Sequence, residues 1–504
     1  MLADRLHPRR PTAAFAIKPE SSWLLPAALA IVIAVAFAFN FWVIDPRSFF
    51  YADDWGWLGH AQFQPTIWIA ELWPRMIYNS RPVGAALITG LYAVVGLDHQ
   101  AFHWIWLLIH CLNTALLLLL LWRLLPPSRA VAAAITAGCW HVTLGAVSWV
   151  AAGFDLVGAT WCLLALLCYR EAVREGICGK LAMLGAALCY AAAVRSKEFG
   201  LALIALLAAY DLLFLQANDF RQRLLRLSSS IAVFVILGAR YLWLYRHAPL
   251  VVGDPYTPDI APLSIVSTFV FYLQQLSYSA AAPSVWVVAV FAGFLLHGIL
   301  ARNRLVLFGL LGFVALLSAV LILPAHRGPL YLYAPHFFLS ATLLAVAPRS
   351  RIATFVSIAV VALLLWWPIH TQMLRYERNY ILRNGDYSRQ LFEDYRRIGI
   401  GDAAFLRVDR AYFSPFQFDG DAKYRARIEY GARTAARASM PGRQGSSINV
   451  LRRDADIRVV ADENMQPLLR AFCAWHGTTA QLLDETRGRL VDRSAWAREQ
   501  CRAP

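Results

Sequence analysis

Two adjacent carboxylates, Asp53 and Asp54, lie within the aromatic stretch of residues 50–57, directly after the long apolar run of residues 23–44. An ionisable group at membrane depth loses its hydration unless it faces a cavity or a partner, so the pair indicates a functional site. A carboxylate held there has the chemistry of a general base, which removes a proton from a hydroxyl group. The alternative is an interfacial turn, with its tryptophans in the headgroup belt and both aspartates solvated.

Charged side chains beside later apolar runs extend this set. The predicted topology puts them on the same membrane face as the acidic pair; they are Arg81, Asp155, Arg195, Lys197, Glu198, His326 and Arg327. Arg and Lys form charge-assisted hydrogen bonds with phosphate oxygens and stabilise a phosphate leaving group. A sugar linked through phosphate to a polyprenol would present its phosphate at this depth. The sequence contains no Walker P-loop and no dinucleotide fingerprint, which argues against nucleotide-driven transport.

The composition indicates the class of protein that must position these residues. The chain has 504 residues, of which 59% are hydrophobic and 16% charged. Its many apolar runs near 20 residues predict a polytopic helical membrane protein, and they are too long and too rich in Leu and Ala for barrel strands. The net charge is +15, but Lys and Arg lie at the ends of apolar runs and in the C-terminal tail. That placement indicates topology determinants and contacts with membrane lipids, and argues against nucleic-acid binding.

The positive-inside rule and a sharp change in composition after Pro368 divide the chain into three parts. Residues 1–21 form a basic cytoplasmic tail, residues 22–369 a transmembrane domain, and residues 370–504 a small soluble periplasmic domain of mixed α/β structure. Within the transmembrane domain, residues 45–100 form a periplasmic loop that carries the acidic pair. The prediction is a multi-pass protein of a bacterial inner membrane with a cytoplasmic N-terminus.

Residues 82–97 can be taken as a short span or as a helix in the periplasmic interface. Only the interfacial helix leaves the later Arg and Lys clusters inside, so the positive-inside rule favours it. Residues 263–282 suit a second interfacial or re-entrant helix. The predicted spans, about eleven in number, lie near residues 23–44, 101–123, 129–150, 156–171, 179–194, 200–216, 228–245, 284–301, 305–323, 331–347 and 352–369.

Six short motifs between residues 53 and 335 carry a family resemblance. They are Asp53-Asp54, Ser80-Arg81-Pro82, residues 91–110 with Phe102-His103 and His110, Gly153-Phe154-Asp155-Leu156, Arg195-Ser196-Lys197-Glu198-Phe199-Gly200 with Tyr210-Asp211-Leu212, and Arg327 with Tyr331-Leu332-Tyr333-Ala334-Pro335. In this order they resemble the glycosyltransferases of the C superfold (GT-C). Within that superfold, the likeness is to protein O-mannosyltransferase-like enzymes, including transmembrane O-mannosyltransferases that bear tetratricopeptide tails.

The resemblance covers roughly residues 22–350, and the chain departs from the family in three ways. The family's Arg in a Gly-Arg-Ala-Asp-Leu stretch is missing at residues 153–156, tetratricopeptide repeats are absent, and residues 370–504 match nothing in the family. The identity of the acceptor therefore does not carry over.

The resemblance implies an inverting glycosyltransferase with a polyprenyl-phosphate sugar donor and a glycan, lipid or protein acceptor. The transferred group would be a hexosyl or pentosyl group. Asp53 or Asp54 would be the general base, with the choice between them left open. The residues on the donor phosphate would be Arg81, Arg195, Lys197 and Arg327, and supporting roles would fall to Glu198, Asp155, His103 and His326. No cofactor would be required and no metal ligands are assigned, although a divalent cation is left open.

Several of these residues have a structural alternative. Arg81, which precedes Pro82 at a helix start, would then bind lipid headgroups. Lys197 and Glu198 would pair with each other at the end of a span, while Asp155 would orient Lys197 or bind a cation. Two further groups are interpreted as structural: His103 and His110, seven residues apart on one helix face, as a buried network, and Asp211 as a structural carboxylate.

Two other functions compete with the glycosyltransferase hypothesis. A transporter or flippase of a lipid-linked saccharide would be expected to carry charges at the bilayer midplane and an inverted repeat, and neither is found in the sequence. A non-catalytic membrane assembly protein would tolerate replacement of both aspartates.

The two cysteines beyond the spans, Cys473 and Cys501, predict a disulfide, because a thiol pair in a periplasmic domain is oxidised. The alternative is two unpaired thiols. The other six cysteines lie in or beside apolar runs without metal-ligand spacing and are interpreted as small core residues.

Overall fold

The structure is a computed structural model that describes a large part of the chain. The described residues are 23–78, 80–215, 219–247, 256–277, 284–346, 367–398, 403–407, 428–429, 456–460, 465–474 and 480–502. The predicted cytoplasmic tail and residues 352–366 of the last predicted span lie outside them.

Seven helices of the described part are long and apolar enough to cross a membrane. They are Leu24–Ile44, His99–Leu121, Val150–Glu171, Gly176–Ser196, Phe220–His247, Arg304–Leu321 and Pro329–Val346. Each is formed by a run of about 20 predominantly apolar residues, the length that a helix needs to cross the hydrocarbon core. The prediction of a mostly helical chain with several membrane-spanning helices is confirmed, while the number eleven and the orientation remain predictions.

The helices of the membrane region are α1 (Leu24–Asn40), α2 (Asp53–Phe63), α3 (Ile67–Ala70), α4 (Pro82–Val95), α5 (His99–Leu121), α6 (Pro127–Gly138), α7 (Thr143–Ser148), α8 (Gly153–Glu171), α9 (Gly176–Ser196), α10 (Leu203–Phe214), α11 (Phe220–His247), α12 (Pro262–Ser277), α13 (Ser284–Leu300), α14 (Arg304–Leu321) and α15 (Tyr333–Val346). Short 3₁₀ helices extend α1 and precede α8, α10 and α15; they are Phe41–Ile44, Val150–Ala152, Glu198–Ala202 and Pro329–Leu332.

The predicted span at residues 129–150 is wrong as a single helix, because the chain breaks between α6 and α7. Side chains from other helices donate hydrogen bonds to the backbone carbonyl groups at the end of α6. The carbonyl of Gly138 accepts hydrogen bonds from Asn40 Nδ2 and His110 Nε2, at 3.0 Å each. The carbonyl of Ala137 accepts one from His336 Nε2 at 2.8 Å. The end of α6 is therefore stabilised by tertiary partners that local sequence does not reveal.

Other predicted segments differ in length. Residues 200–216 hold α10, which has only 12 residues after a 3₁₀ helix, and residues 284–301 hold α13, with 17 residues. Residues 82–97 hold the 14-residue apolar helix α4, too short for a full span, as predicted.

Helix α8 is the centre of the membrane region and packs against α5 and α9. Of an 18-residue apolar stretch within Val150–Glu171, which contains α8, 83% of the residues are buried. The corresponding share for such a stretch of α11 is 22%. Side chains at the start of α8 are therefore fixed by the core, whereas α11 exposes most of its apolar surface.

The C-terminal region begins with the long helix α16 (Trp367–Ile398) and continues into a small mixed sheet. Its elements are β1 (Ala403–Arg407), β2 (Ile428–Glu429), β3 (Asp456–Val460), α17 (Gln466–Cys473), β4 (Ala480–Thr486), β5 (Arg489–Asp492) and α18 (Ser494–Arg502). Among the described strands the order is β2-β3-β1-β4-β5; β4 and β5 pair antiparallel, and the other neighbours pair parallel. Cys473 of α17 and Cys501 of α18 form the predicted disulfide.

Candidate functional site

The acidic pair lies at the start of α2, where the buried side chain of Asp54 forms hydrogen bonds with the backbone. This side chain is 1% exposed. Asp54 Oδ1 accepts a hydrogen bond from the Ala151 N–H at 2.7 Å, and Oδ2 accepts one from the Tyr51 N–H at 3.2 Å. Burial holds the pKa of Asp54 well above its usual range, although both hydrogen bonds act to lower it. Asp54 therefore connects the acidic loop to the 3₁₀ turn before α8.

Asp53 has a different environment from its neighbour. It is the first residue of α2 and is only half-buried. Ala52, immediately before it, has φ 51°, a conformation that residues with a Cβ rarely adopt. Such strain persists only where the surrounding structure imposes it, and it is frequent at functional sites. Of the pair, Asp53 is the carboxylate that an arriving group can reach.

A buried ion pair joins Arg81 to Glu198. Arg81 is the residue before Pro82 at the start of α4, as predicted. Its guanidinium forms two parallel hydrogen bonds with the carboxylate, Nε to Oε1 at 2.9 Å and Nη2 to Oε2 at 3.0 Å. Burial acts to lower the pKa of Arg81, but the neighbouring anionic groups, Glu198 first, outweigh it and raise the pKa. Both partners are therefore ionised inside the protein.

A second buried pair joins Lys197 to Asp155. Lys197 Nζ lies 2.8 Å from Asp155 Oδ2, and the side chains are 5% and 1% exposed. The ammonium also lies 5.1 Å from the centre of the Tyr331 ring. Burial and the charge of Arg81 lower the pKa of Lys197, and Asp155 opposes them. Asp155 thus orients Lys197, one of the two roles that the sequence left open for it.

The alternative that Lys197 and Glu198 only pair with each other is wrong. Consecutive residues extend to different partners, Lys197 to Asp155 and Glu198 to Arg81. Burial acts to raise the pKa of Glu198, but Arg81 and Lys197 together lower it below its usual value. The four side chains form one charge-balanced cluster of two cations and two carboxylates, named here the ion cluster.

A small pocket, partly open to solvent, lies against the ion cluster. Its polar and aromatic lining residues are Tyr78, Arg81, Lys197, Glu198, Tyr256 and Tyr331. The rest of the lining is largely aliphatic and contains Phe199, Leu316, Ala319, Val320 and Leu323. A lining that combines charged and aliphatic groups suits an amphiphile whose polar head meets the cations.

The start of α8 joins the pocket to the acidic loop. The Ala151 N–H donates to Asp54, and Asp155 accepts from Lys197. Ala151 and Asp155 are four residues apart, about 6 Å along a helix. Between them the ring of Phe154 lies 4.6 Å from the ring of Trp57 in α2 and 5.5 Å from the Arg81 guanidinium. The start of α8 therefore contacts both Asp54, the neighbour of the general-base candidate, and Lys197, one of the candidate phosphate ligands.

Arg195, predicted to bind phosphate, does not line the pocket. Its guanidinium donates to Tyr241 Oη and to the Glu71 carbonyl, at 2.5 Å each, and to Ser80 Oγ at 3.0 Å. It therefore holds the residue before Arg81 against α11. The structure gives it a positioning contact and no approach to the pocket.

Neither Arg327 nor His326 lines the pocket. Arg327 is exposed and donates to Ser267 Oγ of α12 at 3.2 Å. The ring of His326 lies 4.2 Å from the ring of Tyr256 and 5.6 Å from that of Tyr331, two residues of the pocket lining. Neither residue belongs to the ion cluster.

His103 and His110 of α5 are both buried, as their spacing predicts, but they have separate partners. His103 Nε2 donates to the Ser148 carbonyl at 3.0 Å. His110 Nε2 donates to the Gly138 carbonyl, so its neutral ring accepts at Nδ1 from the Tyr333 hydroxyl, at 2.8 Å. Their contacts support the backbone and do not reach the pocket.

Asp211 is structural, as predicted, and lies at the opposite ends of the helices. It pairs with Arg223 and Arg226 of α11, at 2.8 and 2.9 Å, and accepts a hydrogen bond from the Tyr169 hydroxyl at 3.0 Å. This end of the bundle contains the basic residues that the topology puts in the cytoplasm.

Sequence reasoning missed two aromatic residues of the pocket, Tyr78 and Tyr256. Tyr78 stands three residues before Arg81, and Tyr256 follows a Gly-Asp-Pro turn signal. Their only sequence signal was the richness of the predicted external loops in aromatic residues. Among the described residues, no group of three or more His, Cys, Asp or Glu side chains is arranged to hold a metal ion.

Comparisons with protein-family models, with curated proteins and with solved structures found no match to this chain.

Proposed function

We propose that the chain is an inverting glycosyltransferase that moves a sugar from a polyprenyl-phosphate donor to a hydroxyl acceptor outside the cytoplasm. Asp53 is the general base, and Arg81 and Lys197 hold the donor phosphate. The observation that carries the proposal is the shared support at the start of α8, which holds Asp54 through Ala151 and Lys197 through Asp155.

The pocket supports the choice of donor. A polyprenyl phosphate has an anionic head and an apolar tail, which match the cationic and aliphatic residues of the lining. The side chains of Arg81 and Lys197 are already held in place by their carboxylate partners, so little reorganisation accompanies phosphate binding. Arg195 and Arg327 have supporting roles outside the pocket, Arg195 by holding Ser80 beside Arg81.

The proposed reaction needs one proton transfer. The acceptor oxygen attacks the anomeric carbon from the face opposite the phosphate while Asp53 takes the hydroxyl proton. The bond between that carbon and the phosphate oxygen breaks, and its electron pair leaves with the polyprenyl phosphate. Because the leaving group is already a phosphate anion held by two cations, no general acid is required. Asp54 keeps α2 in place and does not take part in the proton transfer.

Stereochemistry tests the proposal. Purified protein is incubated with a polyprenyl-phosphate hexose of known anomeric configuration and a cell-envelope fraction as the source of acceptors. Sugar transferred with inverted configuration, found by NMR of the product, supports the proposal, and Lys197→Met should abolish it. Asp219→Asn, an exposed change at the far end of the bundle, is the matched control. Movement of the donor across a vesicle membrane with no new glycosidic bond would instead support the flippase alternative.

A further inference from the structure

We infer that helix α16 positions the acidic loop together with α8, so that the C-terminal region takes part in placing Asp53. The inference rests on the proposed function. Four residues of α16 face the loop, and they are Ile381, Gly385, Ser388 and Phe392. Their spacing of four, three and four residues puts them on one face of the helix, named here the loop-facing stripe.

The first half of the stripe touches the backbone around the acidic pair. Ile381 packs against Tyr51 and Ala52, the strained residue before Asp53. At Gly385 the helix meets the loop backbone directly, since a Cβ added there would overlap the carbonyl oxygen of Arg47. A glycine is thus required at this close approach, and any side chain would push the loop away.

The second half of the stripe holds Trp55, which follows the acidic pair. Trp55 is fully buried, and its Nε1–H donates to Ser388 Oγ at 2.9 Å. The ring of Phe392 lies 5.3 Å from that of Trp55 and 5.7 Å from that of Phe49. Helix α16 therefore contacts the loop at residues before Asp53 in the sequence and at residues after it.

The other face of α16 is fixed to the C-terminal sheet. Asp394 accepts hydrogen bonds from Arg489 Nε and Nη2, at 2.7 Å each, and from the Leu490 N–H at 3.0 Å. The Tyr387 hydroxyl donates to Glu485 Oε2 at 2.5 Å. Asp53 is thus placed by two supports, α8 through Asp54 and the C-terminal region through the loop-facing stripe. Gly385 and Ser388 act as positioning residues for the reaction.

The test uses the full-length protein with Gly385→Leu, Ser388→Ala and Ser388→Thr. The matched control is Arg383→Leu, an exposed change on the same helix. Three quantities are measured: kcat of sugar transfer, binding of undecaprenyl phosphate, and hydrogen exchange of a peptide covering residues 47–57. Gly385→Leu should lower kcat about 100-fold, because a misplacement near 1 Å has that effect. Ser388→Ala should lower kcat about tenfold, since the buried Trp55 N–H loses its acceptor.

The expected pattern separates positioning from general damage. Undecaprenyl phosphate binding should be unchanged, exchange at residues 47–57 should accelerate, and Ser388→Thr should restore kcat because it keeps the hydroxyl. Unchanged exchange in both Gly385→Leu and Ser388→Ala would overturn the inference, whatever happens to transfer. Accelerated exchange with full transfer would uphold the support by α16 and overturn the role of Asp53 as the base, which separates the two proposals.

Discussion

Asp54 Oδ1 lies 2.7 Å from the backbone nitrogen of Ala151, so a side chain of the acidic loop supplies the hydrogen-bond acceptor for the turn that starts α8. One helical turn later, Asp155 pairs with Lys197 at 2.8 Å. A shift of either contact moves the other, because both depend on the same short segment of backbone. This segment therefore contacts both Asp54, the neighbour of the proposed base Asp53, and Asp155, the partner of the proposed phosphate ligand Lys197.

Asp54→Asn should remove a pH dependence of stability. The pKa of Asp54 is raised in the folded protein, so the folded state holds a proton that the unfolded state has lost. Stability should therefore fall as pH rises from about 4 through the raised pKa. The Asn variant should lack this fall, and Asp219→Asn should keep it. Midpoints of thermal unfolding in detergent between pH 4 and 8 provide the measurement, and an equal slope in wild type and Asp54→Asn would contradict the assignment.

Arg81→Met should destabilise the protein by about 3–5 kcal/mol, because it leaves the Glu198 carboxylate buried without its partner. The double variant Arg81→Met/Glu198→Gln should recover most of that stability. It should not recover binding of undecaprenyl phosphate, since the guanidinium fork is still missing. Thermal unfolding and lipid binding are measured on the same samples. Phosphate binding at wild-type strength in the double variant would show that Arg81 is only a structural partner.

Asp155→Asn should shift the pH dependence of donor binding. Burial and Arg81 already lower the pKa of Lys197, and Asp155 opposes them. Without Asp155 that pKa falls further. Since Lys197 holds phosphate only when protonated, binding of undecaprenyl phosphate should be lost at a lower pH than in wild type. A titration of binding against pH checks this, with Asp219→Asn as control. The same binding curve in Asp155→Asn would mean that Lys197 does not contact the phosphate.

Removal of the disulfide should loosen the C-terminal region. Cys473 and Cys501 are 28 residues apart, and closing a loop of that length contributes about 3–4 kcal/mol in the chain-entropy model. Cys501→Ser should therefore increase cleavage of α18 in limited proteolysis, whereas Cys178→Ser, which removes an exposed free thiol, should not. A membrane-impermeant maleimide that labels Cys501 without prior reduction would show that the bridge is absent.

Local chemistry in the sequence was enough to locate several parts of the site. Pro82 predicts a helix start, and Arg81 occupies the residue before it. The richness in apolar runs predicts a mostly helical membrane protein, and the spacing of His103 and His110 predicts that both are buried. In each case the cause is a residue type and its spacing along one segment.

The remaining features depend on contacts between distant segments. Glu198 has Lys197 beside it in the sequence, yet its hydrogen-bonding partner is Arg81, 117 residues away, because a planar carboxylate matches a guanidinium fork. The break after α6 depends on side chains from α1, α5 and α15. The contact of Ser388 with Trp55 joins residues 333 apart, so no local pattern could predict it.

The turnover of Asp53→Asn, measured beside that of Asp54→Asn, separates the roles of the two carboxylates. An amide keeps the shape of the carboxylate but cannot accept the proton, and loss of a general base lowers kcat by about 10²–10⁴-fold. We expect a loss of that size in Asp53→Asn, with unchanged binding of undecaprenyl phosphate, and a smaller loss in Asp54→Asn. Sugar transfer at the wild-type rate by purified Asp53→Asn would contradict the role of Asp53 as the base.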